Sequence, residues 1–170
     1  MVYSLGAPFV PLVIAERDIE ASWTGLIFST YAIARIFTSL IAGKVVDRCG
    51  YSYIMFTGAS LMAVSVAVFS IATSLKEDWQ IITLGIVLRM CQGGASGFLS
   101  TAAYSYAANA CQTTADCEKV IALIECIVGI GCIIGPILGA LIFELLGFEW
   151  TFIIFGILML PACILSCFLK

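Results

Sequence analysis

Ala42-Gly-Lys-Val-Val-Asp-Arg-Cys-Gly-Tyr51 lies between two long apolar segments and holds a Gly-x-x-x-Asp-Arg-x-Gly pattern that occurs once in the chain. Gly43 and Gly50 allow close backbone approach and a tight turn. Asp47 and Arg48 set opposite charges at an apolar–polar boundary, where an acid can cap a neighbouring helix and a guanidinium can reach a lipid phosphate. A charged turn framed in this way reads as a loop joining two membrane spans. The segments on either side test that reading.

Composition agrees with it. The 170 residues are 62% hydrophobic and 11% charged, with a mean hydropathy of +1.11. Soluble domains carry about 25% charged residues, so half the usual charge is missing. The net charge of −3 provides no basic surface for nucleic acid. There is no histidine among the residues, and we find neither a nucleophile–base pair nor cysteines at metal-ligand spacing. An enzyme and a metal centre are therefore not expected. Of the eight cysteines, Cys91, Cys126, Cys132, Cys163 and Cys167 fall in apolar runs, where cysteine acts as a small hydrophobe. Cys111 and Cys117 flank a short polar loop assigned below to the cytosol, where they are expected to be reduced.

Spans of about 20 residues follow in order. Residues 1–15 are apolar, contain Pro8 and Pro11, and would cover only about 21 Å as a helix; they read as the end of a truncated first helix. A signal peptide would need a basic start and a small-residue cleavage site, which are missing. Residues 23–46 are the second span, opened by an interfacial Trp23. The third is 51–74, the fourth 80–103 or somewhat beyond, the fifth 120–146 and the sixth 151–169. Lys44, Arg48, Lys119 and Lys170 then share one side of the membrane, with Arg17 and Lys76 on the other. That bias puts the Gly43–Gly50 loop in the cytosol. Acidic residues such as Glu20, Asp78 and Glu149 crowd the opposite face, where they would concentrate cations.

Two stretches repeat. Gly43, Asp47, Gly50, Tyr51 and Tyr53 align with Ala140, Glu144, Gly147, Phe148 and Trp150. Each copy joins the end of one span to the start of the next, and three spans separate the copies. They therefore face opposite sides of the membrane, as in an inverted three-plus-three repeat.

Three charged residues lie well inside the spans, away from their ends: Arg35, Arg89 and Glu125. Each costs about 2.5–3.5 kcal/mol or more in hydrocarbon, so each should face protein or water. Arg89 begins Arg-x-x-Gln-Gly, with Gln92 and Gly93 on or near its face. It reads either as part of a substrate path and gate or as a buried packing network. Arg35 has the same two readings, the second through carbonyls or a pairing with Glu125. Glu125 is the protonatable group deep in the spans, on a stripe with Gly129, Cys132 and Pro136. Burial raises a carboxyl pKa and a nearby arginine lowers it. It is either a proton carrier or half of a permanent ion pair. Beyond it, Gly131, Gly135 and Gly139 recur every fourth residue as a face for close helix contact, and Pro136 permits a bend.

The loop Gly43–Gly50 resembles the loop between the second and third helices of major facilitator superfamily transporters. Gly129 with Gly135-Pro136 resembles the fifth-helix motif of the drug and amine/proton antiporters in that superfamily. Pro8-Phe-Val-Pro11, the Glu125 region and Gly147-Phe-Glu-Trp150 are similar to vesicular amine and polyamine transporters. Two departures stand out: Tyr51 and Ser52 replace the usual basic residues after the loop glycine, and residues 1–15 lack the acid that amine transporters carry in the first helix. The resemblance implies an all-α polytopic membrane protein, the amino-terminal six-helix half of a transporter. It implies proton-coupled antiport of small organic cations, with the proton gradient as the driving partner and no other cofactor. Substrate would bind near the midplane, against a carboxy-terminal half or a second copy. Asp47 and Arg48 would latch the cytosolic side, in a vesicular, endomembrane or plasma membrane. The rival expectation is a membrane assembly subunit that does not transport, or a half-size homologue needing a partner half.

Overall fold

The computed structural model describes residue 20 and residues 22–70 and 77–168. The first expected span, residues 1–15, lies outside them. The described residues form helices α1 (Ser22–Cys49), α2 (Tyr51–Phe69), α3 (Asp78–Ala110), α4 (Thr114–Leu158) and α5 (Leu160–Phe168), with no strand among them. The chain is all-α, and α1, α2, α3 and the stretch Thr114–Ser166 are long and apolar enough to cross a membrane.

Local chemistry sets the ends. α1 closes with Arg48 in its last turn, where a cation complements the helix dipole. Gly50 follows with φ 85° and ψ 152°, a region open almost only to glycine. α4 starts at Thr114 because the Thr113 hydroxyl accepts the Asp116 N–H at 3.2 Å, the geometry of an N-cap. Its helix therefore begins six residues before the expected 120. α3 runs on past 103 to Ala110, since Ala102, Ala103, Ala107 and Ala108 are strong helix formers despite the polar residues between them.

The stretch 114–166 would be about 80 Å long if straight, far more than a bilayer core of about 30 Å. It folds back at Gly147, which has φ 82° and ψ −179°. The contacts define the reversal. Phe148 and Phe152 stack near Phe69 at the end of α2, Gly156 packs against Ala63 and Ala67, and the Ser52 hydroxyl donates to the Ser166 carbonyl at 2.5 Å. Residues 148–166 thus run antiparallel to α2. Gly50 and Gly147, the paired positions of the sequence repeat, share one backbone conformation. No Cβ would meet an atom within 4 Å at either one, so dihedral freedom, not space, is what requires glycine.

α1 and α3 run parallel along a seam of small residues. A Cβ at Gly93 would fall 2.2 Å from the Tyr31 carbonyl oxygen, and one at Gly97 2.2 Å from Thr38 Oγ1. At one end Ile27, Val66, Phe69, Leu88, Phe152 and Phe155 form a buried cluster; at the other Val46, Ile54 and Ala102 form a smaller one. Outward faces are apolar, with Phe37 64%, Leu40 73% and Ile133 68% exposed. A charged side chain, Arg89, is in contrast 2% exposed. Apolar outside and polar within is the arrangement suited to lipid.

Candidate functional site

Near the ends of α3 and α4 assigned to the cytosol, three polar side chains from three helices converge. Tyr104 on α3 donates its hydroxyl hydrogen to Oε1 of Glu125 on α4. The Arg35 guanidinium on α1 lies within electrostatic reach of the same phenol. Arg35 and Glu125 are both exposed on the surface of this helix group, and Tyr104 is half-buried. Among the described residues no ion pair joins Arg35 to Glu125; the Tyr104 hydroxyl stands at the carboxylate instead.

The seam described above positions this group. Gly97 admits the Arg35 carbonyl, 2.9 Å from where its Cβ would be, which brings that turn of α1 against α3. Thr38 and Ser39 hydroxyls donate to the Ala34 and Arg35 carbonyls at 2.8 Å each, so their polar groups are satisfied along the helix. Tyr104 is the next-but-one turn of α3 after Gly97. It lies at the edge of the expected span, 80–103 or somewhat beyond, and the alanine-rich continuation of the helix is what signals it. On the other flank of Arg35, a largely apolar groove of about 460 Å³ lies between α1 and α3, lined by Thr30, Ile33, Ala34, Phe37, Thr38 and Met90.

Arg89 and Gln92 are placed elsewhere, inside the helix packing. Arg89 NH1 donates to Gln92 Oε1 at 3.2 Å, and its guanidinium sits 5.0 Å from the Phe28 ring centre and 5.8 Å from that of Phe69. Such contacts suit an arginine removed from water. They tie α3 to α1 and α2 next to the larger core cluster. The pair lies some distance along α3 from Tyr104.

The remaining motif residues fall in two places. Asp47 and Arg48 are exposed in the last turn of α1, and Gly43 is half-buried with open space at its Cβ. α2 opens on Gly50 with no side-chain cap, so Asp47 does not serve as one. On α4, Gly135 and Gly139 are buried, Gly131 is half-buried, and Gly129 is exposed with nothing within 4 Å of a Cβ. Pro136 sits inside a continuous helix. No group of three or more metal-binding side chains occurs among the described residues.

These features agree with the proteins this chain resembles. The family model for the Major Facilitator Superfamily matches residues 1–170. The rat protein named MFS-type transporter SLC18B1 is 28% identical over 173 residues, covering 99% of this chain and 38% of the rat protein. The Drosophila melanogaster vesicular acetylcholine transporter is 25% identical over 141 residues, 83% of this chain and 23% of the fly protein. Rv1877 of Mycobacterium tuberculosis (strain ATCC 25618 / H37Rv), named an uncharacterized MFS-type transporter, is 26% identical over 147 residues, or 85% of this chain and 20% of that protein. The chain therefore spans well under half the length of the curated relatives it matches. The match over every residue, the all-α architecture and the apolar spans lead to one conclusion: the chain belongs to the major facilitator superfamily, and it is an integral, multi-pass membrane protein.

Proposed function

We propose that this chain supplies one half of a secondary transporter that exchanges protons for small organic cations. The observation that carries the reading is the Tyr104–Glu125 contact with Arg35 beside it, a carboxylate held by a hydroxyl on an exposed face rather than locked to a cation. A carboxylate so placed can release its proton when a cationic substrate arrives and regain it when the substrate leaves. The relatives named as vesicular acetylcholine transporters support the cation as the substrate class.

In this reading the exposed face meets a second half, a carboxy-terminal partner or another copy, and substrate binds between them near the midplane. Access alternates as one half rocks against the other. The apolar groove between α1 and α3 would accept the hydrocarbon part of the cation. Arg89 and Gln92 would hold α1, α2 and α3 as one body during the movement. Asp47 and Arg48, exposed at the end of α1, would latch the cytosolic side against the other half. The glycine face of α4, with Pro136, would form the hinge and seal. The proton gradient would be the only coupling partner, in a vesicular, endomembrane or plasma membrane.

The test is uptake of a labelled amine into proteoliposomes holding the full-length protein, driven by an imposed pH gradient. Glu125→Gln should abolish gradient-driven uptake while leaving gradient-independent exchange measurable. Full gradient-driven uptake by that variant would sink the proton role.

A further inference from the structure

The first turn of α2 carries two residues that the transport reading leaves unused, Tyr51 and Ser52. Both side chains reach other helices. The Ser52 hydroxyl donates to the Ser166 carbonyl on α5 at 2.5 Å, and Ile54 is buried with Val46 of α1 and Ala102 of α3. These contacts anchor the start of α2. Tyr51 packs at the edge of the same cluster. Its hydroxyl accepts a hydrogen bond from Asn109 Nδ2 at 2.5 Å, and its ring meets that of Tyr106 edge-on, with centroids 5.9 Å apart at 68°.

The end of α3 depends on polar contacts of this kind. Burial along α3 stops at Ala107, and Ala108, Asn109 and Ala110 are exposed. Asn109 commits its amide to two acceptors, the Tyr51 hydroxyl and the Ser105 carbonyl, the latter at 3.1 Å. Tyr104 and Asn109 lie about 7.5 Å apart along the helix and about 140° apart around it. Tyr104 meets Glu125 on α4 and Asn109 meets Tyr51 on α2, so the last turns of α3 are gripped from two sides.

We propose that Tyr51 and Asn109 are positioning residues that hold the last turns of α3 so that the Tyr104 hydroxyl meets Glu125. The start of α2 is the fixed post, Asn109 is the tie, and Tyr104 is the group set in place. Without the Tyr51 oxygen, the Asn109 amide keeps only an acceptor in its own helix, and Tyr104 meets Glu125 for less of the time. On the transport reading, on which this consequence rests, the hold sets how Glu125 exchanges its proton. The Arg35 guanidinium on α1 is the charge within electrostatic reach of the Tyr104 phenol. Tyr51 and Asn109 are uncharged at neutral pH, so their influence on Glu125 comes through position.

The test compares Tyr51→Phe, Asn109→Leu, Tyr104→Phe and the Tyr51→Phe/Tyr104→Phe double variant of the full-length protein. Tyr51→Phe keeps the ring contacts and should keep the fold. In amide hydrogen exchange read by mass spectrometry, Tyr51→Phe and Asn109→Leu should each speed exchange in the peptide spanning 104–110 by about two- to tenfold, as expected for loss of one hydrogen bond. In gradient-driven amine uptake, both should move the pH profile in the same direction as Tyr104→Phe. The double variant should move it no further than Tyr104→Phe alone. Unchanged exchange in Tyr51→Phe would overturn the hold, as would a pH profile that Tyr104→Phe moves and Tyr51→Phe does not. Faster exchange with a profile that no variant moves, Tyr104→Phe included, would support the hold and count against the transport reading instead.

Discussion

Replacing Gly93 with alanine should push α1 off α3. The added Cβ would lie 2.2 Å from the Tyr31 carbonyl oxygen and 3.0 Å from the Tyr31 carbonyl carbon and Cα. These are backbone atoms, so no rotamer change can relieve the overlap. Moving the oxygen to even 3.0 Å requires a displacement of about 0.8 Å along the seam, in an interior packed to crystal-like density. Overpacking of this kind costs roughly 1–3 kcal/mol. For a chain of this size that corresponds to a fall in Tm of roughly 2–12 °C. The assay is thermal unfolding of the full-length protein in detergent, followed by loss of the monodisperse size-exclusion peak. Gly25→Ala serves as the control: a Cβ there meets nothing within 4 Å, and alanine gains up to about 1 kcal/mol of helix propensity. Gly97→Ala should be milder than Gly93→Ala, because its tightest neighbour, Thr38 Oγ1, is on a side chain that can turn, and its nearest backbone atom, the Arg35 carbonyl oxygen, is at 2.9 Å rather than 2.2 Å. A Gly93→Ala protein with the Tm of the wild type would refute the close-contact argument.

Further expectations concern other parts of the molecule. Gly50→Ala and Gly147→Ala should each cost about 1–3 kcal/mol through strain alone, and similar Tm losses for the two would reflect their shared conformation; unchanged stability in either would contradict the dihedral requirement. Arg89→Ala should lower stability by about 1–3 kcal/mol by leaving Gln92 without its donor and stripping a cation from Phe28 and Phe69, measurable in the same unfolding assay. Tyr104→Phe should keep the fold but shift the pH dependence of gradient-driven uptake, because the hydroxyl that holds Glu125 is lost; an unmoved pH profile would remove Tyr104 from the proton step. For Cys111, partial burial and the nearby Cys117 and Asp116 raise the thiol pKa and keep the thiolate scarce, so alkylation by a maleimide should still be accelerating above about pH 8.5. A rate that levels off below that pH would count against it.

Much of this arrangement is legible from residue order, for physical reasons that differ by element. The turns at Gly50 and Gly147 announce themselves because a charged or glycine-bearing break between apolar runs has few alternatives in a membrane. The spans follow from apolar length alone, while their ends do not: α3 continues through Tyr104 and Asn109 because helix propensity outlasts hydrophobicity. That is why span boundaries alone do not single out Tyr104. Arg89 shows the opposite limit. Its sequence context fits both a substrate path and a packing network, and neither its burial nor the two phenylalanine rings beside it can be read from residue order. Proximity across helices, as between Glu125 and Tyr104, leaves no trace in local periodicity.

The glycine seam between α1 and α3 also sets what can be measured on this protein. Two helices already touching through Tyr31 and Gly93 have no slack to close and little reason to part. Probe pairs on their exposed positions, such as Ile36 on α1 and Val87 on α3, should report one separation in every functional state. That fixed span is an internal ruler, against which any change at the Asp47–Arg48 turn or along α4 can be calibrated within the same molecule.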